Sequence, residues 1–141
     1  MIEWYKKVVF ENYANFKGRA RRSEYWYFAL ANAIISFSLI IIGVIAGAIF
    51  GDAVTGGIIG YVLFILYSFA TLLPGLGVIV RRLHDIGKSG WFYFVALIPF
   101  AGGIWLLILL CTDGDYGPNQ YGSDPKNEIE EINEIGKVEL Q

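Results

Sequence analysis

Cysteine and histidine each occur once in the 141 residues, as Cys111 and His84. A single cysteine excludes an intrachain disulfide and leaves the redox compartment open. One histidine and one cysteine, well separated, also fall short of the three or four convergent ligands of a zinc site, so no metal or other cofactor is expected. Charge is scarce as well: 17% of the residues are Asp, Glu, Lys or Arg against 55% apolar, a balance too oily for an ordinary soluble domain. No Lys, Arg, Asp or Glu stands between Glu24 and Asp52, between Asp52 and Arg81, or between Lys88 and Asp113. Each interval exceeds the roughly 20 residues a helix needs to cross a hydrocarbon core of about 30 Å. One such run is also what a buried helix of a soluble protein looks like, but three in so short a chain would leave no polar shell to cover them.

The expected fold class is therefore an all-α integral membrane protein with three transmembrane helices, at about 25–50, 56–80 and 91–111. The first run is long, starts well inside the chain and has no small-residue cleavage pattern, which argues against a cleaved signal peptide. Residues 18–112 form the membrane domain in this reading, flanked by an interfacial segment 1–17 and an acidic tail 113–141. Six cations precede the first run (Lys6, Lys7, Lys17, Arg19, Arg21, Arg22), none lies in the connection at Asp52, and three come after the second run (Arg81, Arg82, Lys88). Positive segments stay in the cytoplasm, which predicts a cytoplasmic N-terminus and, after three crossings, a C-terminus outside. A re-entrant third run, broken near Pro99 and Gly102–Gly103, would instead return the tail to the cytoplasm.

In "MIEWYKKVVFENYANF", Ile2, Tyr5, Val9, Tyr13 and Phe16 recur at helical intervals, as in an amphipathic helix lying in the headgroup region or packed on the ends of a bundle. Beyond residue 112, "TDGDYGPNQYGSDP" reads as consecutive turns. Two lysines against eight acids there leave a net −6, with +4 in the rest of the chain. The last stretch, with Ile129, Ile132 and Ile135 among acids, reads as a frayed helix or disorder.

Gly43, Gly47 and Gly51 are spaced by four, as are Gly56 and Gly60, giving smooth stripes that allow close helix approach within one chain or between two. Pro74 removes the usual partner of the Ala70 carbonyl, and Pro99 that of Val95, so both helices are expected to kink.

Two polar stretches interrupt the oil. In "VRRLHDIGKSGWF", Arg81, Arg82 and His84 suit the negative end of the second helix, Gly87 a left-handed stop and Ser89 a cap for the next helix. Asp85 is placed for a local pair with Arg81 or Arg82, worth only about 0.2–0.5 kcal/mol if exposed. In "GRARRSEYWYF", Arg19, Arg21, Arg22 and Glu24 lead into Tyr25 and Trp26. The predicted topology brings both stretches to one depth on the cytoplasmic side. Glu24 and Asp85 would then form structural ion pairs with the arginines, with Trp26 and Trp91 at the interface. The surplus of Arg19, Arg21, Arg22, Arg81, Arg82 and Lys88 would hold anionic headgroups or a partner.

At these residues the chain resembles the domain-of-unknown-function 805 family of small bacterial inner-membrane proteins. The resemblance rests on "FKGRARRSEYWYF", "VRRLHDIGKSGWF", the following "LIP" and the tail "YGPNQYGSDP", and runs from about Tyr5 to Pro125. It implies a polytopic inner-membrane protein and brings no activity, substrate or cofactor. Where the family tail often carries an arginine after the asparagine, this chain has Gln120, so a role for that cation does not carry over.

These features support three functional expectations. The first is a non-enzymatic module whose arginine-rich cytoplasmic collar binds anionic phospholipid or a membrane protein partner, alone or as a homo-oligomer, and does not bind nucleic acid. The second is a component of a small-solute transporter or channel, suggested by the prolines and glycines but lacking a mid-membrane charge. The third is a lipid-modifying enzyme using His84 or Asp85; Ser89, His84 and Asp85 are too close in sequence for a triad assembled from separated positions.

Overall fold

The computed structural model describes residues 1–126, so the isoleucine pattern at 129, 132 and 135 lies outside the described residues. All regular elements among the described residues are helical. They are α1 (Ile2–Lys6), continuing into a π-helical turn (Lys7–Glu11), α2 (Arg22–Ile49), α3 (Ala53–Asp85), a 3₁₀ segment (Gly90–Leu97) and α4 (Gly102–Cys111). The chain divides into two compact units. The first is residues 1–15 and 23–78; the second, among the described residues, is 16–22 and 79–126.

In the first unit α2 and α3 are joined by a tight turn. Gly51, at φ +89, has open space around it, so it belongs to this turn and not to the packing stripe. Asp52 then starts α3 by accepting the backbone N–H groups of Val54 and Thr55, each at 3.1 Å on Oδ1, as an N-cap does. Beyond the turn, Gly43 and Gly47 of α2 face Gly56 and Gly60 of α3. The stripes therefore serve packing within the chain, where missing side chains let the backbones touch.

The Pro74 carbonyl problem is solved from the N-terminal segment. The Tyr13 hydroxyl donates to Ala70 O at 2.8 Å, replacing the N–H that Pro74 lacks. Gly77 leaves room for the carbonyl of Asn15, 3.1 Å from where its Cβ would stand. Alongside, the Tyr67 hydroxyl donates to Asn32 Oδ1 at 2.7 Å and meets the Tyr5 hydroxyl at 2.9 Å, while the Tyr5 ring stacks on Phe28. Tyr13→Phe is expected to cost about 1 kcal/mol, the net value of one such hydrogen bond. In a Pro74→Ala background the cost should shrink, because the Ala70 carbonyl regains its helical donor. A double-mutant cycle on unfolding in detergent reads the coupling, and additive losses would refute this pairing.

In the second unit α3 ends as expected: Gly87 has φ +70, and Lys88 N–H reaches back to Leu83 O at 2.9 Å. Ser89 caps the 3₁₀ segment, its side chain accepting from Trp91 N. The single helix expected over 91–111 is replaced by two short limbs, the 3₁₀ segment and α4. Pro99 cannot continue a helical ladder, and Val95 O is taken instead by the N–H of Ile98 at 3.0 Å. Phe100 reverses the chain at φ 65. Gly102 then packs directly against the backbone of Val95 and Ala96, a position no side chain would tolerate.

Candidate functional site

The polar centre of the second unit is built on Asp85, the last residue of α3, which is 1% exposed. Its Oδ1 accepts Arg19 Nε at 3.0 Å, and its Oδ2 accepts Arg82 Nη1. Arg82 stands one helical turn before Asp85, where i,i+3 side chains meet. Arg19 comes from the loop before α2, which is tied down by Ala20 N–H bonding Arg81 O at 3.0 Å. One carboxylate thus joins two guanidinium groups from distant parts of the sequence.

The remaining guanidinium donors go to backbone carbonyls, of the tail, of the end of α4 and of Asp85 itself. Arg19 Nη1 donates to Gly117 O and Nη2 to Asp115 O, both at 2.6 Å, and Nη2 also reaches the Asp85 carbonyl at 3.3 Å. Arg82 Nε donates to Leu110 O at 3.2 Å and Nη2 to Thr112 O. Asp115 N–H returns a bond to Asp85 O at 2.7 Å. Asp124 adds a second carboxylate 4.0 Å from Arg19. Gly114 lies against the Asp85 carboxylate so closely that any side chain there would strike it. A planar fork of five fixed N–H donors is suited to gripping several carbonyl and carboxylate oxygens in set directions, where an ammonium group offers three rotatable donors from a single nitrogen.

His84 forms a second layer. Its ring stacks on Tyr121 with centroids 3.9 Å apart, and Nδ1 lies 3.0 Å from Gly18 O. Its backbone carbonyl accepts Asn119 Nδ2 at 2.9 Å. At the rim Asp113 receives Arg22 Nη1 at 2.9 Å and Lys126 Nζ at 3.2 Å. The Arg22 hydrogen bond, followed by the one from Lys126, holds the Asp113 carboxyl below the usual carboxylate range. Burial pushes the Asp124 carboxyl up, but the backbone N–H groups of Lys126 and Gly117 and the charge of Arg19 carry it below that range.

Of the residues expected to form a lipid-facing collar, Arg19 and Arg82 are brought together by Asp85 but turn inward, 8% and 0% exposed. Arg81 is buried and Arg21 half-buried. Arg22 reaches the rim, and Lys88 is exposed with its ammonium 5.3 Å from the centre of the Phe92 ring. The Arg82–Asp85 pair, expected as a weak exposed contact, is fully enclosed. Glu24 lies in the first unit, buried, with Lys7 Nζ 3.3 Å from its carboxylate. Trp26 and Trp91 are both exposed. Reading the tail as turns misses Asp113, Asp115, Asn119, Tyr121 and Asp124 as parts of this site.

A family model described as protein of unknown function, DUF805, matches residues 13–123. The inner membrane protein YhaI of Escherichia coli K12 is 42% identical over 125 residues, covering 89% of this chain and 97% of the relative. The inner membrane protein YhaH of the same strain is 39% identical over 127 residues, covering 90% and 99%. No solved structure matches the chain.

Proposed function

The chain belongs to the DUF805 family, whose curated relatives are inner membrane proteins, and on that premise we propose that it is a non-enzymatic module presenting a clasped polar cap to anionic phospholipid at the cytoplasmic face. The observation that carries this reading is the Arg19–Asp85–Arg82 network, in which buried guanidinium donors are satisfied by oxygens of the same chain. These two arginines act as the clasp. Lipid contact falls to the exposed cations of the same unit, Lys17 and Lys88, with Arg22 and Lys126 at the rim. Lys88 stands beside Phe92 and the exposed Trp91, a mixture of cation and aromatic suited to the headgroup boundary.

α2 and α3 are each long and apolar enough to cross a bilayer. Two crossings put both ends of the pair on one side, and the cations around residues 6–22 favour the cytoplasm for that side. The grip of Arg19 on the Asp115 and Gly117 carbonyls supports a tail on the side of residues 16–22, in place of the outside location expected from three crossings.

Spin-labelled lipids offered to the full-length protein in bilayer nanodiscs test the function. Phosphatidylglycerol is expected to be enriched around the protein over phosphatidylcholine, and high salt should erase the preference. Each lysine near an anionic surface is worth about 1 kcal/mol, so Lys17→Gln with Lys88→Gln should lower the preference roughly tenfold or more. Equal partition of the two lipids around the unaltered protein would refute the proposal.

A further inference from the structure

We infer that residues 90–111 form a re-entrant hairpin whose partner is the hydrocarbon of the cytoplasmic leaflet, a placement that rests on the side assigned to the cap above. Length makes the first argument. Eight 3₁₀ residues rise about 16 Å and the ten residues of α4 about 15 Å, so each limb reaches half way through a core of about 30 Å. Neither limb can cross, and the two are antiparallel in effect, because both outer ends return to the same clasp. Ser89 comes four residues after Asp85, while Leu110 O and Thr112 O bond Arg82.

Surface chemistry makes the second argument. The hairpin is apolar on its outside as well as within: Trp91, Phe94, Leu97, Ile104 and Ile108 are exposed, and Phe100 at the tip is 99% exposed. No charged residue occurs between Lys88 and Asp113. An exposed apolar surface of this kind demands a non-aqueous neighbour.

Backbone accounting makes the third. A chain inside hydrocarbon must satisfy its own N–H and C=O groups, and at the reversal four N–H groups find acceptors within the hairpin itself. Ile98 N–H bonds Val95 O, Ala101 N–H bonds Pro99 O, Gly102 N–H bonds Ile98 O and Trp105 N–H bonds Ala101 O, all between 2.8 and 3.0 Å. Only at Lys88 and Asp113, where the limbs leave the hairpin, does charge resume.

The test uses single thiols in a Cys111→Ser background: Lys88→Cys, Tyr116→Cys and Phe100→Cys, in inside-out and right-side-out membrane vesicles with a membrane-impermeant maleimide. Positions 88 and 116 are expected to label from the cytoplasmic side alone, and position 100 from neither side until detergent is added. Labelling of 88 and 116 from opposite sides would mean a full crossing and overturn the hairpin. Free labelling of 100 in intact vesicles would mean a hairpin lying in water and overturn it equally. A topology reporter fused after Gln141 of the otherwise unaltered chain repeats the test without substitutions; it should be active in the cytoplasm, and activity on the far side would overturn the inference. Loss of the phosphatidylglycerol preference with this labelling pattern intact would remove the proposed function and leave the hairpin standing.

Discussion

Asp85→Ala is expected to cost about 3–5 kcal/mol, the penalty for removing one partner of a buried ion pair, and to release the tail. The carboxylate serves Arg19 and Arg82 together, so its loss strands two guanidinium groups where almost no water reaches. Neither cation can neutralise itself by giving up a proton, since guanidinium stays charged at any accessible pH. The least costly response is for the Arg19 loop and residues 112–124 to separate and hydrate both groups. Two measurements check this outcome: unfolding of the purified protein in detergent micelles, and limited proteolysis between Thr112 and Lys126. Stability within about 0.5 kcal/mol of the parent, the ordinary range of surface substitutions, would show that Asp85 does not organise the cap.

Gly47→Val is expected to be about as damaging by an unrelated route. A Cβ on Gly47 would stand 2.5 Å from Asp52 O and 2.6 Å from Gly56 Cα, and one on Gly56 would stand 2.5 Å from Gly47 Cα. These neighbours are backbone atoms, which cannot rotate aside as a side chain can. The helices must separate along the whole glycine contact, so the loss should reach or exceed the upper end of the roughly 1–3 kcal/mol seen for overpacking. Gly57→Ala provides the control on the same turn of α3. Its Cβ would meet Val44 Cγ2 at 3.5 Å, an ordinary contact, and its effect should stay within about 0.5 kcal/mol. Thermal unfolding in detergent compares the two, and equal losses would show that backbone proximity is not what the glycines provide.

Much of the first unit is legible in the sequence because its signals are local. Charge-free runs mark α2 at nearly its observed length and most of α3, which runs on past the expected end through the charged residues to Asp85, and four-residue glycine spacing marks the surface where they meet. Proline chemistry identifies Ala70 as a carbonyl in need of a donor, although nothing local names Tyr13 as the residue that supplies it. The third apolar run is harder. A full crossing and two half-length limbs have the same composition, and only Pro99 with Gly102–Gly103 hints at the break.

The clasp is the least legible part, because most of what encloses it is backbone. Arg82 and Asp85 are adjacent on a helix face, so their pairing is foreseeable, but its burial is not. The enclosing groups are carbonyls of Leu110, Thr112, Asp115 and Gly117, and backbone oxygens carry no side-chain signature. A stretch rich in Gly, Pro, Asn and Asp announces turns without saying what the turns wrap around. The one available hint is that "YGPNQYGSDP" belongs to the same family resemblance as the two arginine motifs, which ties the three together independently of any contact.

The hydroxyl of Tyr13 is made 57 residues before the proline-orphaned carbonyl it serves. The proline break in α3 is therefore closed by a group that nothing in α3 itself supplies, and the Ala70 carbonyl is met only once residues 1–15 have packed against the helix. Removing or displacing that N-terminal segment would thus be felt more than fifty residues away, at the backbone of a helix whose own sequence is untouched.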